Sequence, residues 1–393
     1  MSDLRAGLLR LIEPGFEHRV PAPAYDSLGP SARRQHLAAN PDSYLGVTQS
    51  LEDEPTLSVG EVLARGRTAL DRLRALGAFG PAERRWLLYR LEVDDHVQTG
   101  IVGELAVSTI DSGRLRPHEQ TFPERADLLA DHLDVVGAQS SPIAVAHRRE
   151  STLAASVADA SERPPLRDFA GADGLRQTVW ALPLTEAIAA LDDEPLYLLD
   201  GHHRAAAAAA HAARRQLGPD DPGGWLLAAL FPADALRIWG FDRRVLDPRF
   251  SASEAVARVA ERVPIQPAVG PWRPTSGHEI GVYTAGQWYR AEVDPVGTGP
   301  LAELAPVRLQ AGILEPVFGI TDPQLDHRLE HLPGGRDPGE QALETDEEGG
   351  VLFTVAAITI EQLMAVADQR LVLPPKSTFI TPKVRSGVFL REL

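Results

Sequence analysis

The 393-residue chain contains no cysteine, which removes disulfides, thiolate-held zinc and cysteine nucleophiles together. Lysine is almost absent: of 39 basic residues only Lys376 and Lys383 are lysine, and the remaining 37 are arginine. No uninterrupted apolar segment approaches the roughly 20 residues that span a bilayer. The acidic, broken N-terminus does not read as a secretory signal. A cytoplasmic protein without membrane contact is expected. No basic run offsets the formal net charge of -16, so extended nucleic-acid contact is not expected against a field that repels phosphate backbones. Small anions are a different matter, since a few convergent donors overcome that field locally.

An apolar fraction of 44% is ordinary for a globular chain, and this length carries two or three domains with substantial cores. The organising stretch is Leu196-Tyr197-Leu198-Leu199-Asp200-Gly201-His202-His203-Arg204, which runs into alanines at 205–210. An apolar run, a glycine and an alanine tract predict a buried strand, a sharp turn and a helix. Asp200 to Arg204 then fall at the first turn of a helix, where free backbone N–H groups and the positive end of the dipole favour an anion.

Around this motif the pattern alternates between strand and helix periods. Val59, Val62, Leu63, Leu70, Leu73 and Leu76 recur at helical spacing and stop at Gly77, predicting a helix over 58–76. Residues 44–47, 86–91, 98–110, 177–184, 225–231, 236–239 and 351–355 read as strands, and 153–160, 184–191, 307–318 and 360–367 as helices. Ser251 with Glu254 marks a capping box. A hairpin over 279–283 and 287–291 lies in a Gly/Pro-rich stretch, and the acidic, glycine-rich 334–350 reads as an exposed loop. Before a helix starting near Pro123, the loop Arg116-Pro117-His118-Glu119-Gln120-Thr121 gathers groups able to bind phosphate, metal or carboxylate, with Thr121 and Glu124 as a capping box. The expected fold class is α/β (α+β), mixed sheets with flanking helices and a smaller Gly/Pro-rich subdomain. Three regions are expected: 1–135 with the His118-Glu119 loop, 136–265 with the 200–204 turn, and 266–393 with the hairpin and the tail, the tail a candidate to pack back on the 136–265 core.

Tyr25-Asp26, Asn40-Pro41, Tyr89-Arg90, His118-Glu119-Gln120-Thr121, Ser141-Pro142, the 200–204 pentad, Pro374-Pro375-Lys376-Ser377-Thr378, Pro382-Lys383 and Ser386-Gly387 occur together. With them the sequence resembles the bacterial and archaeal domain-of-unknown-function family numbered 1015, over nearly the whole chain. It departs from that family at Ala24, usually proline, and at Asp242-Arg243-Arg244, where the family has a His-Arg pair. The Gly201-His202-His203-Arg204 turn also resembles the Gly-x-x-Arg phosphate loop of the superfamily of ParB partitioning proteins, sulfiredoxin and free serine kinases. That resemblance implies a ParB/sulfiredoxin-like core around the turn and ATP or ADP as cofactor. It also implies phosphoryl transfer or phosphate hydrolysis on a small hydroxyl compound such as serine. Sulfiredoxin's own chemistry is excluded by the missing cysteine.

Phosphoryl transfer needs donors on the non-bridging oxygens, a cation and a group that orients the acceptor. The N–H groups after Gly201 and the Arg204 guanidinium are assigned to phosphate. Lys376, Ser377, Thr378 and Lys383 are assigned to a second phosphate or substrate clamp, because in so arginine-biased a chain a lysine marks a compact point charge; the alternative is chance in a lysine-poor composition. Asp200, Glu119 and Asp26 are the carboxylates for Mg²⁺. Asp200, His202, His203, Glu119 and His118 are the catalytic candidates. Three other readings stay open. Asp200 caps the helix through His203 while Arg204 pairs with a surface carboxylate; or Asp200, His202, His203 and His118 form a zinc or manganese hydrolase; or the protein binds or senses a nucleotide or phosphometabolite without turnover. The expected partner throughout is a small molecule.

Overall fold

The computed structural model describes residues 2–148, 151–183, 188, 191–247 and 249–393, with the side chains of 26 and 151–153 outside that description. The chain packs as two units, Met1–Leu236 with Pro382–Leu393, and Arg237–Thr381. The last residues of the tail belong to the first unit, where Phe389–Glu392 pairs with both Gly7–Leu11 and Ala138–Gln139.

A mixed sheet runs through the first unit in the order Leu115–Arg116, Leu196–Asp200, Ile143–His147, Trp225–Pro232, His96–Ala106, Glu83–Val93, Gly7–Leu11, Phe389–Glu392, Ala138–Gln139. Trp225–Pro232 lies parallel to Ile143–His147 and antiparallel to His96–Ala106. It is buried along nearly its whole length, which accounts for its continuous apolar run: a strand covered on both faces has no solvent side to alternate with. Leu88, Ile101, Leu105, Val145, Leu198, Leu226 and Leu230 form its core with Ala205, Ala208 and Ala212. Those alanines belong to the helix His202–Arg215, and their small side chains let it pack closely on the sheet. A second helix, Pro123–Val136, is tied to it by Arg214–Asp131 at 2.9 Å and Arg215–Asp134 at 2.8 Å.

The second unit is built on an antiparallel sheet ordered Ile265–Ala268, Gln287–Glu292, Glu279–Thr284, Val351–Val355, Phe241–Val245, Leu329–Pro333. Val245, Ile280, Val282, Phe353 and Val355 pack there against Leu309, Ile313 and Phe318. The protein is thus a mixed α/β fold with one mixed and one antiparallel main sheet. Among the described residues no helix is long and apolar enough to cross a membrane.

Several local expectations change. Residues 44–47 form a 3-10 turn, Tyr44–Gly46, because the Ser43 side chain accepts from the Leu45 N–H and both Tyr44 and Leu45 are buried. The strand expected over 98–110 ends at Ala106 and gives way to the helical turn Ser108–Asp111. The helix expected over 307–318 contains a π segment, Gln310–Leu314, between Ala305–Leu309 and Glu315–Phe318; Pro316 cannot donate to the ladder there. Residues 334–350 are no loop: Pro338–Glu348 is a helix, started by Asp337 accepting from the Gly339 and Glu340 N–H groups and seated by buried Gln341, Ala342 and Thr345. Thr121 is not a cap, since the following helix begins after Phe122 with no side-chain cap. The helix expected over 184–191 lies outside the described residues.

Candidate active site

Leu196–Asp200 runs parallel to Leu115–Arg116, with Tyr197 opposite Arg116. Parallel strands leave a sheet in the same direction, so the loop bearing His118 and Glu119 emerges beside the turn at Gly201. Gly201 has φ 94°, and a Cβ there would stand 2.9 Å from Ile143 Cγ2 and 3.0 Å from the Arg204 guanidinium carbon. Both the left-handed turn and the close approach require glycine.

The helix His202–Arg215 starts without a side-chain cap. Asp200 therefore does not cap it, and the capping alternative is removed: its carboxylate turns to two cations instead. Lys383 Nζ lies 2.8 Å from Oδ1, and Arg204 donates to Oδ2. Arg204 also donates to the carbonyls of Ser141 at 2.9 Å and Pro142 at 2.6 Å, so its ionic partner is the motif's own aspartate and not a surface carboxylate. Lys383 arrives on the returning tail. There the Pro382 carbonyl accepts from Gln98 Nε2 at 2.8 Å, and the Gly387 N–H donates to Ser140 Oγ at 2.8 Å. One short segment, Ser140 to Pro142, thereby seats both the tail and Arg204. Burial acts to raise the Asp200 carboxyl, but the Lys383 ammonium and the Arg204 guanidinium outweigh it and hold it well below the usual carboxylate range.

Beside this ion cluster His118 is fully buried at 0% exposure, and neither ring nitrogen has a hydrogen-bond partner among the described residues. Its ring meets His202 edge to face, centroids 4.5 Å apart. The His118 backbone N–H donates to His202 Nε2 at 3.4 Å, and His202 Nδ1 lies 3.3 Å from Glu119 Oε2. An accepting Nε2 places the neutral ring's proton on Nδ1, where it faces Glu119. Burial pushes His118 down to about 4 and His202 well below its ordinary value, so both rings are neutral at pH 7. His118, Glu119 and His202 offer ligand atoms all within 4.8 Å of one another. A metal ion taking His202 Nδ1 has to displace its proton. Glu119 is 47% exposed and is the carboxylate of the group that solvent reaches. His203 turns away to stack on Phe122, centroids 5.8 Å apart, and its Nε2 accepts from the Phe122 N–H at 3.2 Å.

Gly201, Asp200, Arg204, His118, His202, Glu119 and Lys383 are thus brought together, with His203 alongside. Lys376, Ser377 and Thr378 belong to the second unit, where Lys376 Nζ lies 5.4 Å from the Phe241 ring centroid and Ser377 Oγ donates to the Pro374 carbonyl at 2.6 Å. The Asp26 side chain lies outside the described residues. Residue types gave no sign that the Ser141 and Pro142 carbonyls seat Arg204, because a backbone acceptor carries no residue identity.

Among solved structures the chain is similar to a free serine kinase mutant in complex with ADP, 13% identical, covering 73% of this chain and 91% of that chain with a TM-score of 0.38. It is also similar to a conserved hypothetical protein from Pyrococcus furiosus, 13% identical, covering 74% and 94% with a TM-score of 0.35. A third is a C-terminally truncated SbnI from Staphylococcus aureus, 11% identical, covering 72% and 85% with a TM-score of 0.36. No curated protein matches the sequence. The family described as "Protein of unknown function (DUF1015)" matches residues 9–361, and the chain belongs to that family.

Proposed function

We propose that the turn at Gly201 binds the phosphate groups of a nucleotide, ATP or ADP, and that the site transfers a phosphoryl group to a small hydroxyl compound or to water. The observation that carries this reading is the uncapped start of the helix His202–Arg215, flanked by Lys383 and Arg204. A helix start without a side-chain cap and two fixed cations suit a phosphate, and each charge interaction with a helix end contributes about 0.3–1 kcal/mol. The cations supply the larger share, since a charge-assisted hydrogen bond is worth roughly 1.5–3 kcal/mol.

Asp200 holds Lys383 and Arg204 in place, and its low pKa makes it a poor proton acceptor. Glu119 is the better base, being half exposed and oriented by His202. In the transfer step the acceptor oxygen bonds to the terminal phosphorus, its proton passes to Glu119, and the bond to the departing nucleotide (ADP from ATP, AMP from ADP) breaks. Magnesium usually keeps several waters and is held by one or two carboxylates plus phosphate oxygens, so Glu119 would hold it, and the ion would neutralise charge on the transferred group.

Thermal-shift measurements with ATP, ADP and phosphometabolites, with and without Mg²⁺, test binding directly. Glu119→Gln is expected to keep nucleotide binding measured without Mg²⁺ while product formation falls about 10²–10⁴-fold. Absence of any nucleotide-induced shift in the wild-type protein sinks the reading.

A second reading, a transition-metal hydrolase, rests on the convergence of His118, Glu119 and His202 within 4.8 Å. Stoichiometric Co²⁺ uptake with a tetrahedral absorption spectrum, lost in His118→Gln, would favour it.

A further inference from the structure

The second unit contains a buried arginine that, among the described residues, makes no hydrogen bond to a carboxylate. Arg243 lies on Phe241–Val245 and is only 4% exposed. Its guanidinium donates to four carbonyls: Phe241 at 2.8 Å, Asp242 at 3.3 Å, Lys376 at 2.9 Å and Pro375 at 3.5 Å. These satisfy its hydrogen bonds without neutralising it. The adjacent carboxylate, Asp242, is committed to Arg273 and to the Val355 N–H. Burying a charge is unfavourable, and here burial outweighs the attraction of the neighbouring Asp242 and pushes the Arg243 pKa down to about 10.

Two further basic groups face the same place. His331 is the direct cross-strand partner of Arg243, so the two side chains share one face of the sheet. Its Nε2 is buried with no hydrogen-bond partner among the described residues. Lys376, whose own carbonyl holds Arg243, is exposed, and among the described residues no carboxylate pairs with it. It sits at φ 55°, a left-handed conformation that glycine or asparagine adopts more easily, and yet the position carries one of the chain's two lysines. Burial first, then the charges of Arg243 and Lys376, lower His331 to about 3. That ring is neutral and retains one N–H to donate. In a chain with 55 acidic residues against 39 basic ones, cations without carboxylates mark a place kept clear for another anion.

We infer that Lys376, Arg243 and His331 form an oxyanion-binding site within the second unit, suited to a phosphate-type dianion. Lys376 supplies the charged donor, His331 a ring N–H and Arg243 the fixed field. The free donors come from separate side chains and not from an open planar fork, which fits tetrahedral phosphate oxygens better than a flat carboxylate. The site shares no residue with the Gly201 turn.

Calorimetric titration of inorganic phosphate into the full-length wild type, Lys376→Gln, His331→Gln and Arg204→Gln tests it, with acetate as the carboxylate arm and melting curves to confirm folding. Lys376→Gln is expected to weaken phosphate binding by about tenfold or more, with His331→Gln acting in the same direction and acetate binding weakly or not at all. Phosphate binding that survives Arg204→Gln and falls in Lys376→Gln supports this site whether or not the Gly201 turn binds nucleotide. Wild-type titrations in both the Lys376→Gln and His331→Gln proteins overturn it, as does acetate binding as tightly as phosphate; loss of binding in Arg204→Gln alone leaves only the Gly201 turn.

Discussion

In the first unit the buried Arg33 and Arg391 and the half-buried Arg5 and Arg204 meet carboxylates. Arg391 and Arg5 share Glu104, Arg33 meets Asp53 at 2.6 Å, and Arg204 with Lys383 encloses Asp200. In the second unit Arg308 reaches Glu303 and Arg244 reaches Glu330 and Glu348, whereas Arg243 reaches carbonyls alone. The contrast separates two requirements that are often merged. A guanidinium needs acceptors for its N–H groups, and the charge needs an opposite charge; carbonyls meet the first and leave the second open. Where both are met, as at Glu104, the cluster serves the fold. Where the neighbouring carboxylate is bound elsewhere, as Asp242 is beside Arg243, the charge is only partly matched, and the anion site inferred above rests on that difference.

Breaking the matched side should have the largest effect. Glu104, 2% exposed in its side chain, faces Arg391 at 1%, so Glu104→Ala strands a buried cation and should cost about 3–5 kcal/mol in urea unfolding. A loss below about 1 kcal/mol would show that water reaches Arg391. Asp200→Asn removes the charge shared by Lys383 and Arg204 and should cost about 2–3 kcal/mol at neutral pH. The folded-state pKa of Asp200 is depressed, so its stabilisation is present above the unfolded value of about 4 and is lost as pH falls below it. The gap between wild type and Asp200→Asn in unfolding curves should therefore begin to narrow at about pH 4 and close only as pH falls to about 2; a gap constant over that range would mean the carboxylate is not held ionised by its neighbours. Gly201→Ala, strained at φ 94° and crowded by Ile143 and Arg204, should cost about 1–3 kcal/mol and reduce phosphate affinity with it. The smallest stability effect belongs to the unmatched side: Lys376→Gln should change unfolding by less than about 0.5 kcal/mol while weakening anion binding. A large destabilisation there would recast Lys376 as a structural residue.

Much of the scaffold was legible. The capping box at Ser251, the hairpin about Gly286 and the helix ending before Gly77 are all present, because each is specified within a few residues. The helix Pro338–Glu348 was hidden by its acidic composition, although Asp337 followed by Pro338 is an N-terminal signal that composition obscured. The short turn Tyr44–Gly46 was missed because a brief buried apolar run carries no period of its own. At the site, His118, Glu119, Asp200 and Arg204 stood out as residue types at a loop and a turn. Lys383 stood out as well, as one of two lysines, but its pairing with Asp200 did not, nor did the backbone partners of Arg204, because hydrogen bonds to the Ser141 and Pro142 carbonyls leave no trace in side-chain chemistry.

By itself the sequence determined the strand, the left-handed glycine and the helix start, for backbone sterics and periodicity act over neighbouring residues. It also determined that no sulfur chemistry of cysteine operates here. Only the tertiary structure decided that Asp200 holds Lys383 and Arg204 instead of capping its helix, and that Arg243 is buried facing carbonyls. Those outcomes depend on which distant segments the sheets bring together, and the energy of a charge is set by what surrounds it in space, not by what precedes it in the chain.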